Sequence, residues 1–115
     1  MREPVKDKLR LEHILGAIDV LLEGRSKYTF EQAVSDPIVF YGFVKHVEII
    51  GEATYMLSKQ FKQTHTEVDW NVIEGMRHVR VHGYYQILPN RLWDTVDTDI
   101  EPLRPIIQSL YDNEI

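Results

Sequence analysis

The sequence contains no cysteine, which excludes disulfide bonds and every metal site that uses thiolate ligands. It also has no run of the roughly 18 to 20 apolar residues that a membrane-spanning helix needs. The first residues, MREPVKDKLRLEH, lack the apolar segment and the small-residue cleavage site of a signal peptide. We therefore expect a soluble, cytoplasmic protein with no membrane partner.

An excess of positive charge is also missing. The chain has 13 Lys and Arg residues against 18 Asp and Glu residues, for a formal net charge of −5. This balance argues against a protein that binds nucleic acid through a uniformly basic surface. The positive charge is locally concentrated, because the segment from Arg77 to Arg91 contains three arginines and two histidines and no Asp or Glu. A polyanionic ligand is expected to bind there.

Strand signals are absent as well, since no segment alternates polar and apolar residues between turn signals. A chain of 115 residues is expected to form a single domain, residues 1–115. A first helix is predicted from Asp7 to Glu23, with Gly24 as its stop, because apolar residues recur at spacings of three and four. Its apolar face consists of Leu11, Ile14, Leu15, Ile18, Leu21 and Leu22.

The sequence TFEQ at residues 29–32 is typical of a capping box and predicts a short second helix that ends near Asp36. Pro37 is suited to the first turn of a third helix, which the apolar period extends to about Lys62. Gly51 lies inside that helix, where glycine lowers helix propensity. Its presence predicts that a neighbouring helix approaches closely at this point.

Asp69 is expected to cap a fourth helix that places Trp70 in the core. Asn90 is expected to cap the last helix, which Pro102 and Pro105 should kink or divide because each removes a backbone donor. The predicted fold is all-α: an antiparallel bundle of four main helices plus a short extra helix.

The segment EGMRHVRVHGYY, residues 74–85, carries the residues best suited to chemistry. On an ideal helix, Arg77 and Tyr84 share a face while His82 points away from both. One straight helix therefore cannot direct all three at one ligand. Either the backbone leaves helical geometry near Gly83, or a second chain completes the site.

Two other interpretations of this segment are open. His78 and His82 have the i, i+4 spacing of a zinc pair, but no acidic residue among residues 77–91 offers a third ligand, so no metal is expected. Alternatively, Arg77 and Arg80 form ordinary surface ion pairs and the tyrosines simply pack their rings.

RHVRVHGY at residues 77–84 resembles the R-x4-H-x-Y motif of HepT-like proteins, which belong to the HEPN superfamily of small helical ribonucleases. The resemblance extends to LRLEHILGAID, VEIIGEATYMLSK, VDWNVIEGM and LWDTVDTDIEPL, which follow one another in the family's order. It therefore covers nearly the whole chain. One position departs from the pattern, because His78 stands where the family often has Asn.

The resemblance implies a metal-independent endoribonuclease that is the toxin of a HepT/MntA-type (type VII) toxin–antitoxin pair and needs no cofactor. It also implies a homodimer, with an MntA-like nucleotidyltransferase as antitoxin that uses ATP to attach AMP to Tyr84. A larger complex with the antitoxin is compatible with this arrangement.

The chemistry of the residues agrees with this activity. RNA cleavage by the 2′-hydroxyl needs proton transfer, for which His82 is suited, and charge stabilisation at phosphate, for which Arg77 is suited. His78 and Arg80 would support them. Because one chain has one motif histidine, the second proton-transfer group would be His78, or His82 of the partner subunit, which favours a dimer. The competing hypothesis is a catalytically inactive, dimeric HEPN-like module that binds nucleotide or the nucleotidyltransferase.

Overall fold

The computed structural model describes residues 4–78 and 89–114, and the side chains of residues 6–77 and 89–114. The described residues contain no strand, which confirms the all-α prediction. They form the α-helices α1 (Pro4–Lys27), α2 (Phe30–Ser35), α3 (Pro37–Tyr55), α4 (Lys59–Thr64), α5 (Trp70–Glu74), α6 (Pro89–Asp94) and α7 (Ile100–Asn113). A 3₁₀ turn, Gly75–His78, follows α5, and a π-helical segment, Thr95–Asp99, joins α6 to α7.

The core lies where α1 packs between α3 and α7. The predicted apolar face of α1 is buried except for Leu22, which is partly buried. The prediction that Gly24 ends this helix is wrong, because α1 continues to Lys27. A Cβ at Gly24 would lie 2.9 Å from Cζ of Phe43, so the glycine makes room for an aromatic ring of α3. In the described part of the chain, every helix is too short or too polar to cross a bilayer.

The start signals of α2 and α3 act as the sequence predicts. The side chain of Thr29 accepts a hydrogen bond from the backbone N–H of Gln32, whose side chain accepts one from the N–H of Thr29. Asp36 caps α3 by accepting the backbone N–H groups of Ile38 and Val39 at 3.0 and 3.4 Å. Since Pro37 has no N–H, it loses nothing at this first position.

The predicted third helix from Pro37 to Lys62 is interrupted. Helix α3 ends at Tyr55, and α4 starts afresh at Lys59. The carboxylate of Asp7, only 2% exposed, accepts both the backbone N–H and the hydroxyl of Ser58 at 2.8 Å. This buried acceptor on α1 takes the amide that a continuous helix would use. The apolar period gives no sign of the break, because residues on both sides of it are buried.

In the C-terminal region, the prediction that Asn90 caps a helix is wrong, and Pro102 and Pro105 do not divide α7. Asn90 lies inside α6, which begins at Pro89, and therefore does not cap it. Helix α7 is a single element that contains Pro102 in its first turn and Pro105 in its interior. On both sides of Pro105, buried residues keep α7 packed on the core; they include Ile100, Leu103 and Ile107.

Candidate active site

Helix α5 leads into the turn that carries the start of the motif. Asp69 caps this helix, since its side chain accepts the backbone N–H of Val72 at 3.4 Å, as the sequence predicts. Trp70 is 7% exposed and anchors α5 in the core, and its indole N–H donates to the carbonyl of His65. These contacts fix the backbone from which the R-x4-H-x-Y segment extends.

The interpretation of the motif as the continuation of a regular α-helix is wrong at its start. Helix α5 ends at Glu74, and Gly75–His78 form a 3₁₀ turn. With about three residues per turn, this geometry rotates Arg77 away from the direction that an α-helix would give it. The change of geometry therefore precedes the arginine. The distortion predicted near Gly83 falls outside the described residues.

Arg77 is held against α3 through its backbone. A Cβ on Gly51 would collide with the backbone N of Arg77 and would lie 2.7 Å from the carbonyl carbon of Met76 and 2.9 Å from Cα of Arg77. Real Cβ atoms essentially never approach other atoms this closely. The close approach predicted from Gly51 is confirmed, with a 3₁₀ turn as the neighbouring element. Only glycine fits at this position of α3 without displacing the turn.

The side chain of Arg77 also lies on α3. Its Cζ is 3.7 Å from the centroid of the Tyr55 ring, which is a cation–π contact. Tyr55 is 47% exposed, so the pair lies at the surface. Among residues 6–77 and 89–114, no carboxylate is within ion-pair distance of the guanidinium. The alternative of an ordinary surface ion pair is therefore not what this part of the molecule shows for Arg77.

Lys62 contacts both helices next to Arg77, α3 and α5. Its Nζ lies 2.9 Å from the Glu74 carboxylate and 3.4 Å from the carbonyl oxygens of Thr54 and Tyr55. One ammonium thus binds the C-terminus of α3 and the end of α5 at once. The favourable position of a cation at a helix C-terminus adds to this contact. The result is a defined separation between the Tyr55 platform and the turn that carries Arg77.

The structure describes only some of the other candidate residues. Arg80, His82 and Tyr84 lie outside the described residues, as does the side chain of His78. Arg91, the last cation of the acid-free segment, is exposed on α6. The structure thus locates the phosphate-binding candidate Arg77 in detail, and the assignments of the other residues stay predictions.

Tyr55 and Lys62 were not singled out from the sequence as functional candidates. One signal for Tyr55 was present, because it follows Gly51 by four residues and the two therefore share a face of α3. A glycine that admits a neighbouring backbone makes the residue one turn away a direct neighbour of the same segment. Nothing in the sequence pairs Lys62 with Glu74, because that contact depends on the break between α3 and α4.

Comparison with known proteins shows which family this sequence resembles. The model of the ribonuclease HepT-like family matches residues 14–110. A candidate RNase of Caldanaerobacter subterraneus subsp. tengcongensis is 36% identical over 104 residues, which cover 90% of this chain and 93% of that protein. The probable ribonuclease HepT of Thermococcus cleftensis is 32% identical over 100 residues, which cover 87% of this chain and 91% of that one.

A more distant relative, a candidate RNase of Methanocaldococcus jannaschii, is 24% identical over 101 residues, covering 88% of this chain and 93% of the relative. No solved structure matches the chain significantly. The family match spans the apolar face of α1 from Ile14 onward, the Gly51–Arg77 contact and the buried face of α7. The chain therefore belongs to the HepT-like ribonuclease family.

Proposed function

We propose that this protein is a metal-independent endoribonuclease and the toxin of a HepT/MntA-type toxin–antitoxin pair. Membership of a ribonuclease family supports the reaction class. The environment of Arg77 is the observation that supports placing the active site at this motif. Its backbone is fixed against Gly51, and its guanidinium rests on an aromatic face with no carboxylate partner among the described residues.

This environment suits an arginine that binds phosphate. A guanidinium presents five N–H donors in one plane and can hold two phosphate oxygens at once. A neighbouring carboxylate would compete for those donors, whereas an aromatic ring contacts only the face of the plane. Arg77 therefore stabilises the negative charge that develops on phosphorus when the RNA 2′-hydroxyl attacks.

His82 supplies the proton transfer in this proposal. An imidazole has an ordinary pKa of about 6.5 and can exchange protons at neutral pH. The reaction removes a proton from the attacking 2′-hydroxyl and returns one to the departing 5′-oxygen. A second group is needed for the other transfer, and it is His78, or His82 of the partner subunit in a homodimer. Arg80 adds positive charge beside them.

Tyr84 is the regulatory residue of the proposal. The MntA-like antitoxin joins the tyrosine oxygen to the α-phosphorus of ATP and releases pyrophosphate. The attached AMP puts a negative phosphate and a base next to the motif arginines, where the RNA phosphate would bind. The modified toxin is then inactive because its site is occupied and its positive charge is neutralised.

The test is cleavage of RNA by the purified protein in excess EDTA. We expect wild type to cleave, His82→Ala to lose roughly 10²- to 10⁴-fold in rate, and Arg77→Lys roughly 10²- to 10³-fold. His13→Ala is the matched control, because His13 is an exposed histidine on α1 outside the motif. If wild type cleaves no faster than His82→Ala, the nuclease proposal is refuted. RNA or nucleotide binding without cleavage would instead identify a binding module.

A further inference from the structure

One face of α3 contacts Arg77 twice. Gly51 and Tyr55 are four residues apart, so their positions on the helix lie one above the other. Gly51 admits the backbone of Arg77, and Tyr55 receives its guanidinium. The backbone and the guanidinium of Arg77 therefore contact the same helix. A side chain held at both ends has fewer conformations to lose when it binds a ligand.

The contact distance indicates how the guanidinium meets the ring. Two carbon atoms are in van der Waals contact at about 3.5–4.0 Å, and Cζ of Arg77 is 3.7 Å from the centroid of Tyr55. An N–H bond directed into the ring would hold Cζ farther away. The guanidinium therefore lies over the ring with its face, and its N–H donors point along the plane. They stay available to a ligand that approaches from the edge.

The nearest acidic residue along the chain is kept from Arg77 by a different cation. Glu74, three residues before the arginine, lies 2.9 Å from Nζ of Lys62. The side chains of this pair are only 20% and 18% exposed, so the carboxylate is partly shielded. Lys62 also contacts the carbonyl oxygen of Tyr55 and lies 6.0 Å from the centroid of its ring. Lys62 thereby contacts the residue beneath the guanidinium and pairs with a carboxylate that would otherwise compete for Arg77.

We propose that Tyr55 is the positioning residue of Arg77: its ring orients the guanidinium so that the N–H edge faces the RNA phosphate. This inference rests on the proposed function of Arg77 as the phosphate ligand. It adds a residue outside the R-x4-H-x-Y motif to the working site. The ring is the part that acts, and the hydroxyl is dispensable.

The consequence can be measured as phosphate affinity. An exposed cation–π contact is worth a factor of about two to five in a binding constant. Tyr55→Leu should weaken binding by this factor, and Tyr55→Phe should restore it because the ring face is kept. When Arg77→Lys is already present, Tyr55→Leu should have little further effect, since the planar cation that the ring orients is gone. Such coupling distinguishes positioning from a general loss of stability.

The experiment uses the full chain with His82→Ala, which slows cleavage, and a fluorescent RNA oligonucleotide in EDTA. The matched control is Tyr111→Leu, because Tyr111 also has a lysine over its ring, Lys8 at 4.9 Å, but makes no contact with Arg77. We expect weaker RNA binding for Tyr55→Leu alone. Equal binding by Tyr55→Leu and its parent, or an equal loss in Tyr55→Phe, would overturn the proposal.

A second readout does not depend on RNA cleavage or RNA binding. The NMR signal of Arg77 Hε should be shifted by the ring current of Tyr55, retain that shift in Tyr55→Phe and lose it in Tyr55→Leu. Titration with inorganic phosphate should move this signal, with a midpoint about two- to fivefold higher in Tyr55→Leu. If neither cleavage nor RNA binding exists, the proposed function fails while this titration still tests the positioning. An unchanged midpoint contradicts the role of Tyr55.

Discussion

A single methyl group at Gly51 should disturb both the stability and the site of this protein. In Gly51→Ala, the new Cβ would meet the backbone of the turn at 2.7 Å and 2.9 Å, where ordinary contacts begin at 3.4 Å. The turn that carries Arg77 would have to withdraw by at least the larger difference, 3.4 − 2.7 = 0.7 Å, and the collision with the backbone N of Arg77 demands more. Backbone atoms cannot swing aside like the end of a flexible side chain, so the displacement is passed to Arg77.

The expected magnitude follows from two opposed effects. Forcing extra volume into a packed contact costs about 1–3 kcal/mol, and the backbone clash places Gly51 at the upper end of that range. Alanine recovers about 1 kcal/mol of helix propensity relative to glycine. The free energy of unfolding should therefore fall by about 1–2 kcal/mol. For a domain of this size, that corresponds to a decrease in Tm of roughly 4–8 °C.

Gly42→Ala is the matched control for Gly51→Ala. Gly42 lies in the same helix, and a Cβ there would meet nothing within 4 Å. This variant should gain about 0.5–1 kcal/mol, because only the propensity effect remains. Urea unfolding of both variants gives the two changes, and RNA cleavage should fall only in Gly51→Ala. A Gly51→Ala protein as stable and as active as Gly42→Ala would refute the close contact between α3 and the turn.

Three further predictions concern the interrupted helix, the antitoxin and the assembly. Asp7→Ala should lower the free energy of unfolding by about 1–3 kcal/mol, because it removes the acceptor of two Ser58 donors. In the same urea titration, the control Asp19→Ala breaks an exposed ion pair and should lower it by less than about 1 kcal/mol. With ATP and the antitoxin, intact-mass analysis should show AMP on wild type and none on Tyr84→Phe; AMP on that variant would move the acceptor elsewhere. Native mass spectrometry at micromolar concentration should show a dimer, and a strictly monomeric protein would contradict a site shared between two chains.

Much of the helical framework could be predicted because its signals are local. The Thr29 capping box, the Asp36 cap and the period of apolar residues depend on neighbours three or four positions away, which the sequence displays directly. Gly51 was informative for a related reason, since a glycine that lowers helix propensity usually has a packing cause. These features place α3 and the turn that carries Arg77 in contact.

The interruption of the predicted third helix and the turn before Arg77 depend on contacts between residues far apart in the chain. The break after Tyr55 is caused by Asp7, which is 51 residues from Ser58 and reaches it only in the folded protein. The apolar period runs through the break, so periodicity alone favoured one long helix. Likewise, the turn at Gly75–His78 and the ring beneath Arg77 require α3 to be in place. Local propensity contains no information about either.

The chemical form of the RNA ends made in excess EDTA tests the central claim most directly. If Arg77 and His82 promote attack by the RNA 2′-hydroxyl, the products carry a 2′,3′-cyclic phosphate, or the 3′-phosphate formed by its hydrolysis, and a 5′-hydroxyl. Mass spectrometry of a cleaved oligonucleotide distinguishes these ends from a 3′-hydroxyl and a 5′-phosphate. The account predicts the cyclic phosphate series from wild type and its loss in His82→Ala. A 5′-phosphate, or no cleavage at all, would contradict it.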